Sequence, residues 1–242
     1  MKYQYNRMII VSDHELVIET KELSFIEHNK SVYLYYINDN DVIALMRSEY
    51  KHRVIQYLNH FILLLPNDYT RQFNFWNNLY ECIGDDYESL INVNINKACI
   101  KLMIDYIQDN RKISDDSLLL DFGCGTGISQ YVHHKGKIIG YEPVYEMRKQ
   151  AQMKGLSVYS CIDKISEESL DAVFSSFVLH MGIQESEIQK VARKMKTNAI
   201  WISNFYDGIN EDIINSYMLK TGLRLTQLQE YNKIGRLYEY RK

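Results

Sequence analysis

The chain has little of several residue patterns, and each shortage excludes something. Its 242 residues include two prolines and four cysteines. The cysteines, Cys82, Cys99, Cys124 and Cys161, stand far apart with no C-x-x-C pair. That spacing argues against a disulfide framework or a zinc site and for reduced thiols. No metal-ligand constellation stands out. The longest run of Phe, Ile and Leu, Phe61–Leu65, stops at Pro66, far short of the roughly 20 apolar residues of a membrane span. The start, MKYQYNRMIIVSDHE, has a four-residue apolar run where a signal peptide would need a longer one. A cytoplasmic protein is therefore expected. Charge of one sign is also missing: the formal net charge is −3, so the balance favours neither nucleic acid nor an anionic membrane as partner. Low-complexity tracts, internal repeats and Pro/Gly/Ser linkers are absent.

What is present is an ordinary globular composition, 46% hydrophobic and 24% charged, enough for one substantial core or one domain with an appendage. Met8–Val11, Glu15–Thr20 and Ser31–Ile37 are rich in β-branched and aromatic residues, with turn chemistry at His28-Asn29-Lys30. They predict a small antiparallel sheet. Apolar residues then recur at helical spacing from Val42 to Phe61, which predicts one long or broken helix ending at Pro66. Between 67 and 90 aromatic residues crowd without a clean period. They can form a hydrophobic seam or, less simply, wall a pocket, since flat rings stack on organic ligands. Ile95, Cys99, Leu102, Met103 and Tyr106 define one face of an amphipathic helix.

From Ser117 onward strands and helices alternate, the signature of a parallel, doubly wound α/β sheet. Seven strands are expected: 117–122, 137–141, 157–160, 171–177, 198–205, 223–231 and 236–241, the last two pairing as an antiparallel hairpin. Helices are expected at 128–135, 144–154, 185–196 and 210–220. Domain limits follow as 1–90 for an N-terminal α+β cap and 91–242 for the core.

The focus of the core is Ser117–Ser129, SLLLDFGCGTGIS. A leucine strand closed by Asp121 runs into Gly123, Cys124, Gly125, Thr126 and Gly127, then into a segment able to form a helix. Small residues there let backbone N–H groups approach a ligand. Dinucleotide folds use G-x-G-x-x-G, and Ile128 stands where the third glycine belongs. A dinucleotide is thereby disfavoured. Glu142, at the end of the next strand in IIGYEP, is placed to accept from both hydroxyls of a ribose.

Asp121 before this loop and Glu142 nineteen residues after Gly123 resemble the first motif of the class I S-adenosylmethionine-dependent methyltransferases. The resemblance extends over roughly the C-terminal six-tenths of the chain, and it implies a Rossmann-like core binding S-adenosylmethionine and releasing S-adenosylhomocysteine. It implies cofactor contacts at Asp121, Gly123, Cys124, Gly125, Glu142 and Pro143. Cys161 and Ile162 fall nearest the adenine-reading slot, with Asp163 two positions late. Leu170–His180, LDAVFSSFVLH, resembles the fourth-motif strand of small-molecule methyltransferases, which places Ser176 and Phe177 at the cofactor's methionine and His180 by the pocket mouth as a general base. The Asn/Asp-Pro-Pro-aromatic motif of the amino-methylating adenine and glutamine enzymes is absent. The implied function is methyl transfer to a small organic acceptor, with the N-terminal region selecting it and its strands offering pairing across a homodimer. The alternatives are an S-adenosylmethionine-binding protein with a regulatory or non-methylating role, and a protein or RNA methyltransferase.

Overall fold

In the computed structural model the described residues are 8–13, 24–29, 32–47, 54–58, 60–205, 210–231 and 234–242. They fall into two compact units, Met1–Ile91 and Asn92–Lys242. The first unit contains β1 (Met8–Ser12), β2 (Ser24–Asn29), β3 (Val32–Ile37), α1 (Asp39–Arg47), β4 (Val54–Tyr57), β5 (Phe61–Leu64), α2 (Tyr69–Ile83) and α3 (Tyr87–Leu90). Its sheet has the order β2-β3-β1-β5-β4. It is mixed rather than antiparallel, because β1 and β5 run parallel at its centre. The expected strand at 15–20 and part of the expected turn at 28–30 lie outside the described residues.

The long helix expected from Val42 to Phe61 is replaced by short α1 and the antiparallel hairpin β4–β5. The physical reason lies in β5: Phe61, Ile62, Leu63 and Leu64 are all buried, and consecutive side chains buried on both faces fit a central strand, not one stripe of a surface helix. Asp68 caps α2 by accepting from the Thr70 amide at 2.9 Å. The buried face of α2 is Phe75, Trp76, Leu79, Tyr80 and Ile83. Trp76 meets Tyr57 of β4 edge-on at 5.1 Å, and the Tyr57 and Tyr80 hydroxyls are 2.6 Å apart. The aromatic crowding of 67–90 is thus core packing within this unit.

The second unit starts with α4 (Val93–Asn110), capped by Asn92, and buries Cys99, Ile100, Met103, Ile104 and Ile107. Its strands are β6 (Leu118–Phe122), β7 (Lys137–Tyr141), β8 (Ser157–Tyr159), β9 (Leu170–Ser175), β10 (Met195–Phe205), β11 (Arg224–Tyr231) and β12 (Gly235–Arg241). They form one sheet in the order β11-β12-β10-β9-β6-β7-β8. β8 to β10 run parallel through β6, and β12 is antiparallel to both β10 and β11. The seven strands and the terminal reversal match the sequence expectation. Helices α5 (Tyr145–Met153), α6 (Glu185–Lys194) and α7 (Glu211–Lys220) do so as well.

The helix expected at 128–135 is instead a 3-10 turn, Ile128–Tyr131. Only eight residues separate Gly127 (φ +78) from Gly136 (φ +85), and the Val132 amide already bonds back to the Ser129 carbonyl at 3.0 Å. The segment that directly follows the glycine loop is therefore not a regular α-helix. The sheet order reverses between β6 and β9, where chain crossovers leave in opposite directions and open α/β sheets form their crevice at the carboxyl ends of the strands.

Candidate functional site

At that reversal point the loop after β6 is built from three left-handed glycines, each for a different reason. Gly123 (φ +75) closes against Val178: a Cβ there would stand 2.5 Å from a Val178 methyl. Gly127 (φ +78) closes against α5, where a Cβ would be 2.9 Å from the Ala151 Cα. Gly125 (φ +53) is open, since its Cβ would meet only the Met147 terminal methyl at 3.8 Å. Gly123 was expected to face a ligand. Its missing side chain makes room for Val178, and open space lies at Gly125.

The loop hangs on β7. The Gly123 and Cys124 amides both donate to the Tyr141 carbonyl, at 2.8 and 3.0 Å. Glu142 follows at once, and its carboxylate accepts from the Gly125 amide at 2.9 Å through Oε2 and from the Val144 amide at 2.9 Å through Oε1. One buried carboxylate therefore pins the open glycine and the entry to α5. Arg148 braces the same corner by donating to the Glu142 and Pro143 carbonyls at 2.7 and 3.0 Å. Burial raises the Glu142 pKa from 4.5 to about 7, with the two amide bonds and Arg148 acting against the rise.

Asp121 is 2% exposed, and its Oδ2 is buried with no hydrogen-bond partner. Burial pushes its pKa up to about 7, with Ser129 acting the other way. A buried carboxylate oxygen left without a donor is costly. It marks a place where a ligand donor would be welcome. Beside it the Cys124 thiol is buried and its pKa rises, first through burial and then through Asp121 and Glu142. Cys124 packs over Gly140, where a Cβ would stand 2.5 Å from its Sγ.

The remaining expected residues are less closely gathered. Cys161 turns its thiol to Asp163 at 3.3 Å, and Asp163 lies 3.4 Å from the Lys190 ammonium. Ile162 is 0% exposed, so in this arrangement it presents no open face for a ring to cover. Ser176 and Phe177 follow β9 directly and lead into Val178, which packs on Gly123, and Phe177 holds a left-handed backbone, φ +59. Its amide donates to Asn204 Oδ1 at 2.7 Å.

His180, expected by the pocket mouth, is 5% exposed, and burial lowers its pKa from 6.5 to about 4. Asn210, just before α7, donates its side-chain amide to the His180 carbonyl at 2.7 Å. Such an imidazole is neutral at pH 7 but a weak base.

Residues that sequence reasoning passed over also shape the site. Met147 borders the open glycine, Val178 closes against Gly123, Arg148 braces Glu142, and Asn204 holds the end of β9. Only Asn204 carried a readable signal: an amide in AIWISNF, an otherwise apolar buried strand, must find partners.

Known proteins resemble this arrangement. Residues 120–201 match the family model described as a methyltransferase domain. An uncharacterized methyltransferase of Schizosaccharomyces pombe is 25% identical over 166 residues, covering 61% of this chain and 64% of that protein. The chain thus spans less than two thirds of that relative's length. Among solved structures, 1,6-didemethyltoxoflavin-N1-methyltransferase of Burkholderia thailandensis, with bound 1,6-didemethyltoxoflavin and S-adenosylhomocysteine, superposes with a TM-score of 0.56 at 13% identity, covering 73% of this chain and 92% of its own. Magnesium protoporphyrin IX methyltransferase of Synechocystis PCC 6803, with bound S-adenosylmethionine, gives 0.51 at 15% identity over 71% and 97%. At these identities the two structures show the shared fold.

Proposed function

We propose that the chain is a class I S-adenosylmethionine-dependent methyltransferase that methylates a small organic acceptor and holds the cofactor on the described loop, a reading supported by the match of residues 120–201 to a methyltransferase domain. The observation that carries the reading is Glu142 pinning Gly125, the one loop glycine whose missing Cβ leaves open space. In this reading Glu142 accepts from the ribose hydroxyls while keeping the loop amide. Asp121 offers its Oδ2 to the cofactor's ammonium, directly or through water. Gly123, Cys124 and Gly125 give the backbone its close approach, with Pro143 at the edge. Ser176 and Phe177 border the methionine portion, and Cys161 and Ile162 lie on the adenine side.

When bound, the cofactor supplies an electrophilic methyl group on a sulfonium. The protein's own work is to align acceptor and methyl and to exclude water, and alignment alone can account for a large part of such an acceleration. His180, buried and shifted to about 4, contributes packing in this reading rather than proton transfer. The first unit, with its aromatic core, is proposed to select the acceptor. A small acceptor is supported by the fourth-motif resemblance of Leu170–His180 and by the absence of a strong positive charge. The two structural relatives named above act on small molecules by their descriptions.

The test is direct. The full chain is incubated with S-adenosylmethionine and with size-fractionated cell extract, and S-adenosylhomocysteine is followed by mass spectrometry. Product that depends on the fraction below 1 kDa supports the reading. Product that needs only the protein or RNA fraction overturns the small-acceptor assignment, and binding without product overturns transfer.

A further inference from the structure

Asn204 sits near the carboxyl end of β10, 0% exposed, and its amide spans two segments that are distant in the chain. Oδ1 accepts from the Phe177 amide at 2.7 Å, and Nδ2 donates to the Ile234 carbonyl at 2.7 Å. The first partner lies just beyond β9, the second in the turn between β11 and β12. Phe177 needs such a hold, because its φ of +59 is left-handed and that conformation is unfavourable for a residue with a Cβ. The next residue, Val178, is the one whose methyls fill the space above Gly123. A continuous chain of contacts therefore runs from the β11–β12 turn through Asn204 and Phe177 to Val178 and the glycine loop.

We propose that Asn204 is a positioning residue for the cofactor: by holding the Phe177 amide it fixes Val178 against Gly123 and thereby sets the glycine loop in its binding geometry. The inference rests on the cofactor reading above. It extends that reading to a side chain on a different strand, 27 residues from the one it holds. Asn suits the position because it presents an acceptor and a donor together while carrying no charge into a fully buried site. Leucine, of similar size, would leave both the Phe177 amide and the Ile234 carbonyl without this partner.

The test compares Asn204→Leu and Asn204→Asp in the full chain by two readouts. Amide hydrogen exchange of ligand-free protein reports on Phe177 and the 123–127 loop, and titration calorimetry with S-adenosylhomocysteine reports affinity. In Asn204→Leu, exchange at Phe177 and across the loop is expected to rise at least tenfold, and affinity to fall about tenfold. Asn204→Asp, assayed at pH 6, where a buried carboxylic acid stays protonated and copies both hydrogen bonds, is expected to keep affinity within about threefold. Loss of affinity equal to that of the leucine variant would show that the two hydrogen bonds are not what matters. A folded leucine variant with unchanged loop exchange and unchanged affinity overturns the proposal. If Asn204→Leu does not fold, Phe177→Gly decides. Glycine accepts the left-handed backbone freely, so Asn204→Asp at pH 8 should weaken affinity less in the Phe177→Gly background than alone, and equal effects in both backgrounds overturn the proposal. Should the wild-type protein bind no S-adenosylhomocysteine, the cofactor reading fails by itself, and the exchange data still accept or reject the hold of Asn204 on the loop.

Discussion

The two units bury different kinds of side chain. The first is filled by Ile9, Ile10, Val11, Phe61, Leu63, Phe75, Trp76 and Leu79, and the buried polar residues described in it are Ser12, Asp13 and Asn78. The second buries Asp121, Glu142, Ser175, His180, Asn204, Glu211 and Glu239 among its aliphatic strands. Burying a polar group costs free energy unless a partner offsets it. In the first unit the interior is spent on packing. In the second, Asp121, Glu142 and Asn204 lie at or just beyond the carboxyl ends of the parallel strands β6, β7 and β10, the end at which the crossovers open. Expensive side chains clustered at one end of a sheet are the physical mark of a site, and the first unit's described interior has no such cluster.

Five substitutions would break or sharpen that contrast. Trp76→Ala should have the largest effect on stability, about 3–5 kcal/mol, since it empties the centre of an aromatic core. Denaturant unfolding measures it, and S-adenosylhomocysteine affinity should stay within about twofold. A large loss of affinity in protein that remains folded would show that the first unit's core and the cofactor site are not separable. Next, Gly127→Ala forces a Cβ to 2.9 Å from helix backbone at φ +78. It should cost about 3 kcal/mol, combining left-handed strain with overpacking. Gly125→Ala, with space around it, should cost about 1–2 kcal/mol from the backbone alone yet weaken cofactor binding more than that loss suggests. If both glycine variants lose stability and affinity in the same proportion, the open position at Gly125 has no special role.

Glu142→Gln should weaken S-adenosylhomocysteine affinity by about tenfold to a hundredfold, the range expected for losing charge-assisted hydrogen bonds. Its effect on stability should have the opposite pH trend. The Glu142 pKa is raised from 4.5 to about 7 on folding, so folding takes up a proton. That contribution is complete below about pH 4.5 and disappears as pH rises through about 7, a change on the order of 3 kcal/mol. The stability of the glutamine variant relative to wild type should therefore improve between pH 5 and pH 8, as read by urea midpoints at each pH. Cofactor affinity of the wild type should fall as pH drops from 8 to 6, because the protonated acid is a poorer acceptor for ribose hydroxyls. A flat pH dependence in both measurements would remove Glu142 from the ligand-facing group.

The smallest effect on activity is expected from His180→Ala. With its pKa lowered to about 4, the imidazole gives no titration near pH 6.5, so turnover should stay within about threefold and the pH–rate profile should keep its shape. A drop of a hundredfold or more in folded variant protein, or a limb near pH 6.5 that vanishes with the substitution, would restore the histidine to the mechanism.

Much of the second unit was legible before any coordinates. Its strands alternate with helices, β6 and β9 read as buried apolar runs, and the Gly123–Gly127 loop announces a sharp turn after an acid. In the first unit period alone misled. Val42 to Phe61 shows helical spacing, yet Phe61–Leu64 is a run buried on both faces, and a short apolar run does not reveal whether it will pair. The short turn at Ile128–Tyr131 was missed because the eight residues between two left-handed glycines satisfy a helical pattern, while the Val132 amide bonds back to the Ser129 carbonyl and closes a 3-10 turn.

What the sequence determined by itself was the order of elements in the second unit, the loop and the acid at the tip of the neighbouring strand, because side-chain periodicity and glycine spacing are properties of neighbours in the chain. Tertiary structure alone decided which glycine faces open space, that His180 is buried, and that Asn204 holds a backbone 27 residues away. Burial and cross-chain hydrogen bonds exist only once the sheet has closed and distant residues share one interior.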